Sequence, residues 1–395
     1  MDISATTFLK QATTTAEHFG FKSIDTLKKH PNCKQSTKIA YTGSAQDRRN
    51  DALHGILTGG MNSYCDAKLH AIEAPTLFYS IDQIPRSQDA ALSFHIFNVD
   101  KSIAEAILIQ TTRALMNDLG HTQHVVRINS LGDKESSTRY TRELTNFLRK
   151  RLEDMPPIAR ELMKEHALTA LAHLLEKGHE LGFRSPNPLE FLSDSSRKHF
   201  REIVEFLDLA DIPYEIDSRL IGHHECYSDA LFSIDTLDDL GQVVVNAPLL
   251  VRGGRYSEFV ERNTKQTISA VGAVMILKDS KTPARHPKPK AANSSVYVVQ
   301  LGFGPKVRSL ILIDELRRSG ITVYQDLASD SLSTQLRDAE DKGVKYVIII
   351  GQKEYIEKGV ILRDMEARNQ EQIDVPTLIS KLRRSTRVPT VDILV

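Results

Sequence analysis

Apolar positions recur at helical spacing between Thr6 and Phe19, and Gly20 supplies a stop, so the chain is expected to open on an amphipathic helix. The same period returns over Ser102–Leu119, where Ser102 is a capping residue and Gly120 an end. It recurs over Lys134–Leu152, with Tyr140, Leu144, Phe147 and Leu148 inward, and over Ser195–Leu209, while Met155–Leu181 reads as a further helix pair. Between the helices lie shorter stretches of strand character: Leu77–Tyr79, Phe94–Asp100, Val125–Asn129, Ile212–Asp217, Ala230–Ile234 and Val243–Leu250. Asn129-Ser130-Leu131-Gly132 is a turn in which Gly132 takes a special backbone conformation. The rest is organised around Val251-Arg252-Gly253-Gly254-Arg255-Tyr256, a strand end followed by a short polar helix and then by the apolar strand Ile268–Leu277. Two adjacent glycines there allow a ligand or a neighbouring strand to approach the backbone closely.

From Ser295 the order changes. Strands at Val296–Leu301, Ile321–Tyr324, Tyr346–Ile350 and Val360–Leu362 alternate with helices near 305–318, 331–341 and 375–384, which implies a parallel or mixed sheet covered by helices. Lys278–Ser294 joins the two regions. Pro283, Pro287 and Pro289 interrupt its basic residues, so it reads as a semi-extended tether in which Arg285, Lys288 and Lys290 are candidates for phosphate contact. The expected domains are 1–277, with a helical insertion near 134–190, the tether 278–294, and 295–395.

Lys and Arg number 51 and Asp and Glu 51, so any contact with nucleic acid has to be local rather than a property of the whole chain. Three cysteines, Cys33, Cys65 and Cys226, exclude a disulfide framework. Met1-Asp2-Ile3-Ser4 lacks the features of a signal peptide, and no apolar run reaches the ~20 residues that span a bilayer. A cytoplasmic protein without a membrane partner is the expectation. His223-His224-Glu225-Cys226 are all ligand types, but neighbours in an extended chain point to opposite faces. A third ligand from Cys33, Cys65 or His54 would be needed, and no metal site is expected.

The stretch from Val251 to Leu277 resembles the third signature region of histidyl-tRNA synthetases, which are class II aminoacyl-tRNA synthetases. Ile39–Ala45, Phe94–Asp100, Val125–Asp133 and Arg219–Tyr227 are similar to further segments of that family. Leu316–Ile321 and Ser331–Leu336 look like its anticodon-binding domain. The resemblance implies an α+β class II synthetase-like core on an antiparallel sheet with a helical insertion. A C-terminal α/β anticodon-binding-like domain would follow, in which Gln335 joins the tether residues as an RNA-binding candidate.

The chemistry that the resemblance implies is missing at the matching positions. Thr42 stands at the glutamate that holds the α-amino group of histidine, and a neutral hydroxyl makes no charge-assisted bond to an ammonium. Pro85 stands at the motif 2 arginine, Ile96 at a glutamine that touches substrate, and Gly222 at the family-specific catalytic arginine. Asp279 stands at the arginine that stacks on adenine, with Ile276 where the family has glycine. Arg86 (one position off), Asp100, Glu225, Tyr227, Gly253, Gly254, Arg255 and Tyr256 remain as a residual pocket.

Preorganised charge is usually the largest catalytic term, and losing one donor costs about 10²–10³ in rate. Several such losses together point to an inactive histidyl-tRNA synthetase-like protein that binds tRNA, another structured RNA or a protein partner and needs no cofactor. Two alternatives stand beside it. One is an active histidine–tRNA ligase using ATP and Mg, with Arg86, Arg48 or Arg49 standing in. The other is a protein like the regulatory subunit of ATP phosphoribosyltransferase in histidine biosynthesis, a relative that generally lacks the C-terminal domain. Phe21–Ala40 is short for the motif 1 segment through which the family dimerises, so a homodimer would have to form on a truncated motif 1.

Overall fold

The computed structural model describes residues 3–27, 47–69, 75–84, 89–223, 226–244, 247–278, 294–326 and 329–386. The chain divides into two compact units, Met1–Thr13 with Lys22–Pro287 and Thr14–Phe21 with Lys288–Val395. The tether with Arg285, Lys288 and Lys290 lies outside the described residues, as do Thr42, Pro85, Arg86, Glu225 and Asp279.

One sheet organises the first unit. Its strands are β1 (Lys22–Ser23), β2 (Thr76–Gln83), β3 (Ala90–Phe97), β4 (His124–Ser130), β5 (Tyr214–Ile216), β6 (Ser228–Thr236), β7 (Leu249–Arg255) and β8 (Ala270–Leu277), in the spatial order β1-β2-β3-β8-β7-β6-β4-β5. The inner pairings are antiparallel, and β1 with β2 and β4 with β5 are parallel, so the sheet is mixed where an antiparallel one was expected. The expected strand Val243–Leu250 starts only at Leu249; Pro248 precedes it and cannot donate to a ladder, and Val243 makes an isolated bridge to Leu237.

The helices of this unit are α1 (Ala5–His18, of which the residues from Thr14 fall in the second unit), α2 (Ile24–Leu27), α3 (Asp47–Asp66), α4 (Ile103–Asp118), α5 (Lys134–Arg149), α6 (Pro157–Glu165), α7 (Ala167–Glu176), α8 (Glu180–Phe183), α9 (Asp194–Leu209) and α10 (Ser257–Thr264). Side chains alternate across a sheet, so paired residues share a face. Arg255 and Val271 stand on the face reached by α4, where Glu105 meets Arg255. Arg252, Gly254 and Gly272 stand on the other face. Helix α3 packs there, placing Ile56, Leu57, Met61 and Tyr64 in one core with Phe78, Ala91, Val274 and Ile276. This helix is absent from the sequence reading because Gly55, Gly59 and Gly60 lower its intrinsic propensity. Gly60 is required by packing: a Cβ there would lie 2.2 Å from the His95 ring.

The insertion α5–α8 has its own core, Tyr140, Leu144, Leu148, Leu168, Leu171 and Leu174 among others, which closes onto Leu231 of β6. The preceding turn takes the expected form, with Gly132 at φ +70° and Asp133 capping α5 through Ser136 N.

In the second unit, β9 (Val296–Gln300), β10 (Tyr324–Gln325), β11 (Tyr346–Ile350), β12 (Val360–Asp364) and β13 (Asn369–Ile373) form a mixed sheet in the order β10-β9-β11-β12-β13. Its helices are α11 (Phe303–Arg318), α12 (Leu332–Asp341), α13 (Gln352–Glu357) and α14 (Val375–Thr386). The strand expected at Ile321–Tyr324 shrinks to Tyr324–Gln325.

Candidate functional site

A cavity of about 270 Å³ lies over β6 and β7, on the face opposite α4. Its roof is the insertion, through Leu162 of α6 and Leu168, Thr169, Ala172, His173 and Glu176 of α7. The 220–223 segment and the start of α3 wall it. These two walls meet through His54 and His223, whose rings stack 4.6 Å apart and 8° from parallel.

Tyr227 fills one side. A Cβ on Gly222 would lie 2.2 Å from Tyr227 Cδ2, and one on Gly254 would lie 2.8 Å from Tyr227 Cδ1. The ring therefore occupies space that side chains at both glycines would need. Neither glycine has a left-handed φ, so close approach is their whole purpose here. Burial pushes the Tyr227 phenol far up, and its Oη has no hydrogen-bond partner.

The cations on this face are committed to carboxylates. Arg252 meets Asp235 at 3.2 Å, Asp235 meets Arg127 at 2.7 Å, Arg127 meets Asp217 at 3.0 Å, and Asp217 meets Arg219 at 2.8 Å. Burial would raise Asp235, but Arg252 and Arg127 hold it below the usual carboxylate range. Three strands from β7, Asp82 on β2 shares the face and accepts from Ser93 Oγ at 2.7 Å. Burial pushes Asp82 up to about 6 despite the hydroxyls of Ser93 and Ser80.

The model of the anticodon binding domain matches residues 296–385. Across most of the chain, the histidine–tRNA ligase of Desulforamulus reducens is 24% identical over 338 residues, 82% of this chain and 80% of that protein. The histidine–tRNA ligase of Fervidobacterium nodosum is 27% identical over 296 residues, 73% of this chain and 68% of that protein. The chain belongs to the histidyl-tRNA synthetase family. Among solved structures, apo S. aureus histidyl-tRNA synthetase has 18% identity and a TM-score of 0.46 over 82% of this chain and 81% of that one.

Set against the positions expected for a histidyl-tRNA synthetase, the described residues divide. Gly222, Tyr227 and Gly253 line the cavity, and Gly254 supports it from beneath the Tyr227 ring. Ile96 does not line it: it pairs with Val271 and Leu77, which puts it on the α4 face and fully buried. Arg255 is withdrawn from the pocket, since it is buried on that same face against Glu105. Tyr256 is likewise core; its hydroxyl and His95 Nδ1 are hydrogen-bonded at 2.9 Å, and burial takes His95 down to about 3. Asp100 is exposed beyond the end of β3. Gln335, a candidate RNA contact, is instead buried; its amide accepts from Gln300 N at 3.2 Å and donates to Gln300 O at 2.9 Å, pinning α12 to β9. The sequence reading missed Arg252 as a cavity residue. Its place two residues before Gly254, hence on the same face, was the available signal.

Asp82 gives a testable sign. A folded-state value above the ordinary one means that the folded protein binds a proton the unfolded chain has released, so stability falls as pH rises from 3.8 to about 6. Asp82→Asn should therefore be more stable than the parent at pH 7.5, by about 1–2 kcal/mol, with the gain fading toward pH 4. Urea titrations at several pH values read this directly.

Proposed function

We propose that this member of the histidyl-tRNA synthetase family has lost amino-acid activation and acts in the cytoplasm by binding tRNA or another structured RNA through its anticodon-binding domain. The observation that carries the loss is the Tyr227 ring standing where a side chain at Gly222 would begin. The cation expected there is absent, and so is the room for it. Arg252 and Arg127 are shared with Asp235, and Asp82 adds a carboxyl to the same face, so the described residues offer little net positive charge to a triphosphate. The match of residues 296–385 to the anticodon binding domain supports RNA as the partner.

Titration of the full chain with tRNA across a salt series tests the binding half. Binding at 50 mM salt should weaken by about tenfold or more at 200 mM, as phosphate contacts release counterions. Absence of binding at low salt would reject the RNA reading. Neither ATP with Mg²⁺ nor histidine should raise the melting temperature. Protection by both would favour an active ligase, and protection by histidine alone a histidine-sensing regulatory subunit.

A further inference from the structure

We infer that a charge cluster on the α4 face latches the root of the insertion to the sheet, tightly while His199 is protonated and more loosely once it is not. The insertion leaves the core at Gly132-Asp133 and returns at Ser193, and both sides of this root are tied to one bulge in β6. Asp229 sits there at φ +50°, where the β6–β7 register breaks. Its N–H donates to Gly132 O at 2.8 Å, and its C=O accepts from Leu131 N at 2.9 Å. Ser196 Oγ donates to Asp229 Oδ1 at 3.0 Å and accepts from Asp133 N at 3.0 Å, while Asp133 Oδ2 accepts from Ser193 Oγ at 2.7 Å. The Asp229 carboxylate therefore orients the hydroxyl that holds the root.

That carboxylate belongs to a cluster whose charge balances only with one added proton. His199 lies one helical turn on from Ser196, on the same face of α9, and meets Glu105 Oε1 at 2.9 Å, the oxygen that Arg255 Nε also holds. The carboxylates of Glu105 and Asp229 face the Arg255 guanidinium, and a protonated His199 supplies the second positive charge. At the rim, Asp100 acts on Arg255, and Glu258 of α10 shares the field of Asp229 with Arg262, Lys134 and Asp133. Burial works against a charged His199, but Glu105 and Asp229 outweigh it and hold the imidazole above its ordinary value. Burial also holds Asp229 above the usual carboxylate range, against His199 and Arg255. Both groups keep a proton that the unfolded chain gives up, so both contributions are full in acid and fade as pH climbs through the folded values. Once His199 discharges, Asp229 either stands unbalanced or takes the proton itself and ceases to be a charged acceptor for Ser196. Each outcome loosens the root. The latch does not depend on the RNA-binding reading, since its residues all lie in the first unit.

Amide hydrogen exchange of the full chain at pH 6 and pH 8.5, corrected for intrinsic rates, tests the latch. Relative to the β7–β8 ladder, the amides of Leu131, Asp133 and Asp229 should be about threefold or more better protected at pH 6. Asp229→Asn keeps an acceptor for Ser196, tolerates the positive φ and leaves Glu105 and Arg255 balanced without the proton. Its protection should not fall with pH, and its His199 Cε1–H resonance should titrate at lower pH than in the parent. His199→Gln keeps a donor for Glu105 but cannot titrate, so it should show the looser root already at pH 6. Equal protection of the parent at both pH values, a fall that persists undiminished in both variants, or an unmoved His199 resonance in Asp229→Asn would overturn the latch.

Discussion

Arg255→Ala is expected to lose about 3–5 kcal/mol of stability, because it strands a buried carboxylate. Arg255 grips Glu105 through two bonds, Nε to Oε1 at 2.8 Å and Nη2 to Oε2 at 2.9 Å, and also donates to Val99 O at 3.3 Å. His199 Nε2 meets the same Glu105 Oε1 at 2.9 Å, so one carboxylate ties α4 and α9 to the end of β7. Burial alone would raise Glu105; Arg255 and His199 reverse this and hold it at about 2. Burial alone would lower His199, and Glu105 reverses that too and raises it. A raised histidine stabilises fully below its unfolded value near 6.5 and loses that contribution as pH climbs through the folded value. In Arg255→Ala, protonated His199 is the remaining partner of Glu105. The deficit should therefore be smaller at pH 5.5 than at pH 8 in urea titrations. Pairing Arg255→Met with Glu105→Leu should cost less than Arg255→Ala, since no buried charge is left without its partner.

The second large effect is catalytic. Each lost cation at an activation site is worth about 10²–10³ in rate, so losses at the positions of Gly222 and Asp279 together predict adenylate formation about 10⁴-fold or more below that of a working ligase. Gly222→Arg should not recover it. The new Cβ would meet Tyr227 Cδ2 at 2.2 Å, and forcing such overlap into a packed site costs about 1–3 kcal/mol. Gly222→Arg combined with Tyr227→Ala should relieve the strain and still show no activation, because Arg252 stays paired with Asp235 and Asp279 still stands where the resemblance places the arginine that stacks on adenine.

How much of this was legible before any coordinates depended on how each feature is encoded. The β7–α10–β8 passage was plain, since two glycines, a polar turn of helix and an unbroken small-residue strand leave few alternatives. Helix α3 was hidden by its glycines, of which Gly60 is demanded by packing against His95, and with it the His54 wall of the cavity. Strand β13, Asn369–Ile373, was hidden because its edge position leaves it polar and exposed, with none of the alternation that marks a half-buried strand. Ile96 illustrates a different limit. Which face a strand residue takes is set by register, and register with β8 came only with the fold. Gln335 fits its family segment by position, but its amide is consumed by the backbone of β9.

The central claim is that the sheet face beneath the insertion no longer activates an amino acid. ATP–pyrophosphate exchange by the full chain, supplied with Mg²⁺ and with histidine and then each other amino acid in turn, tests it most directly. The account predicts exchange at background for every amino acid, in the parent and in Gly222→Arg alike. Histidine-dependent exchange above background in the parent would contradict it.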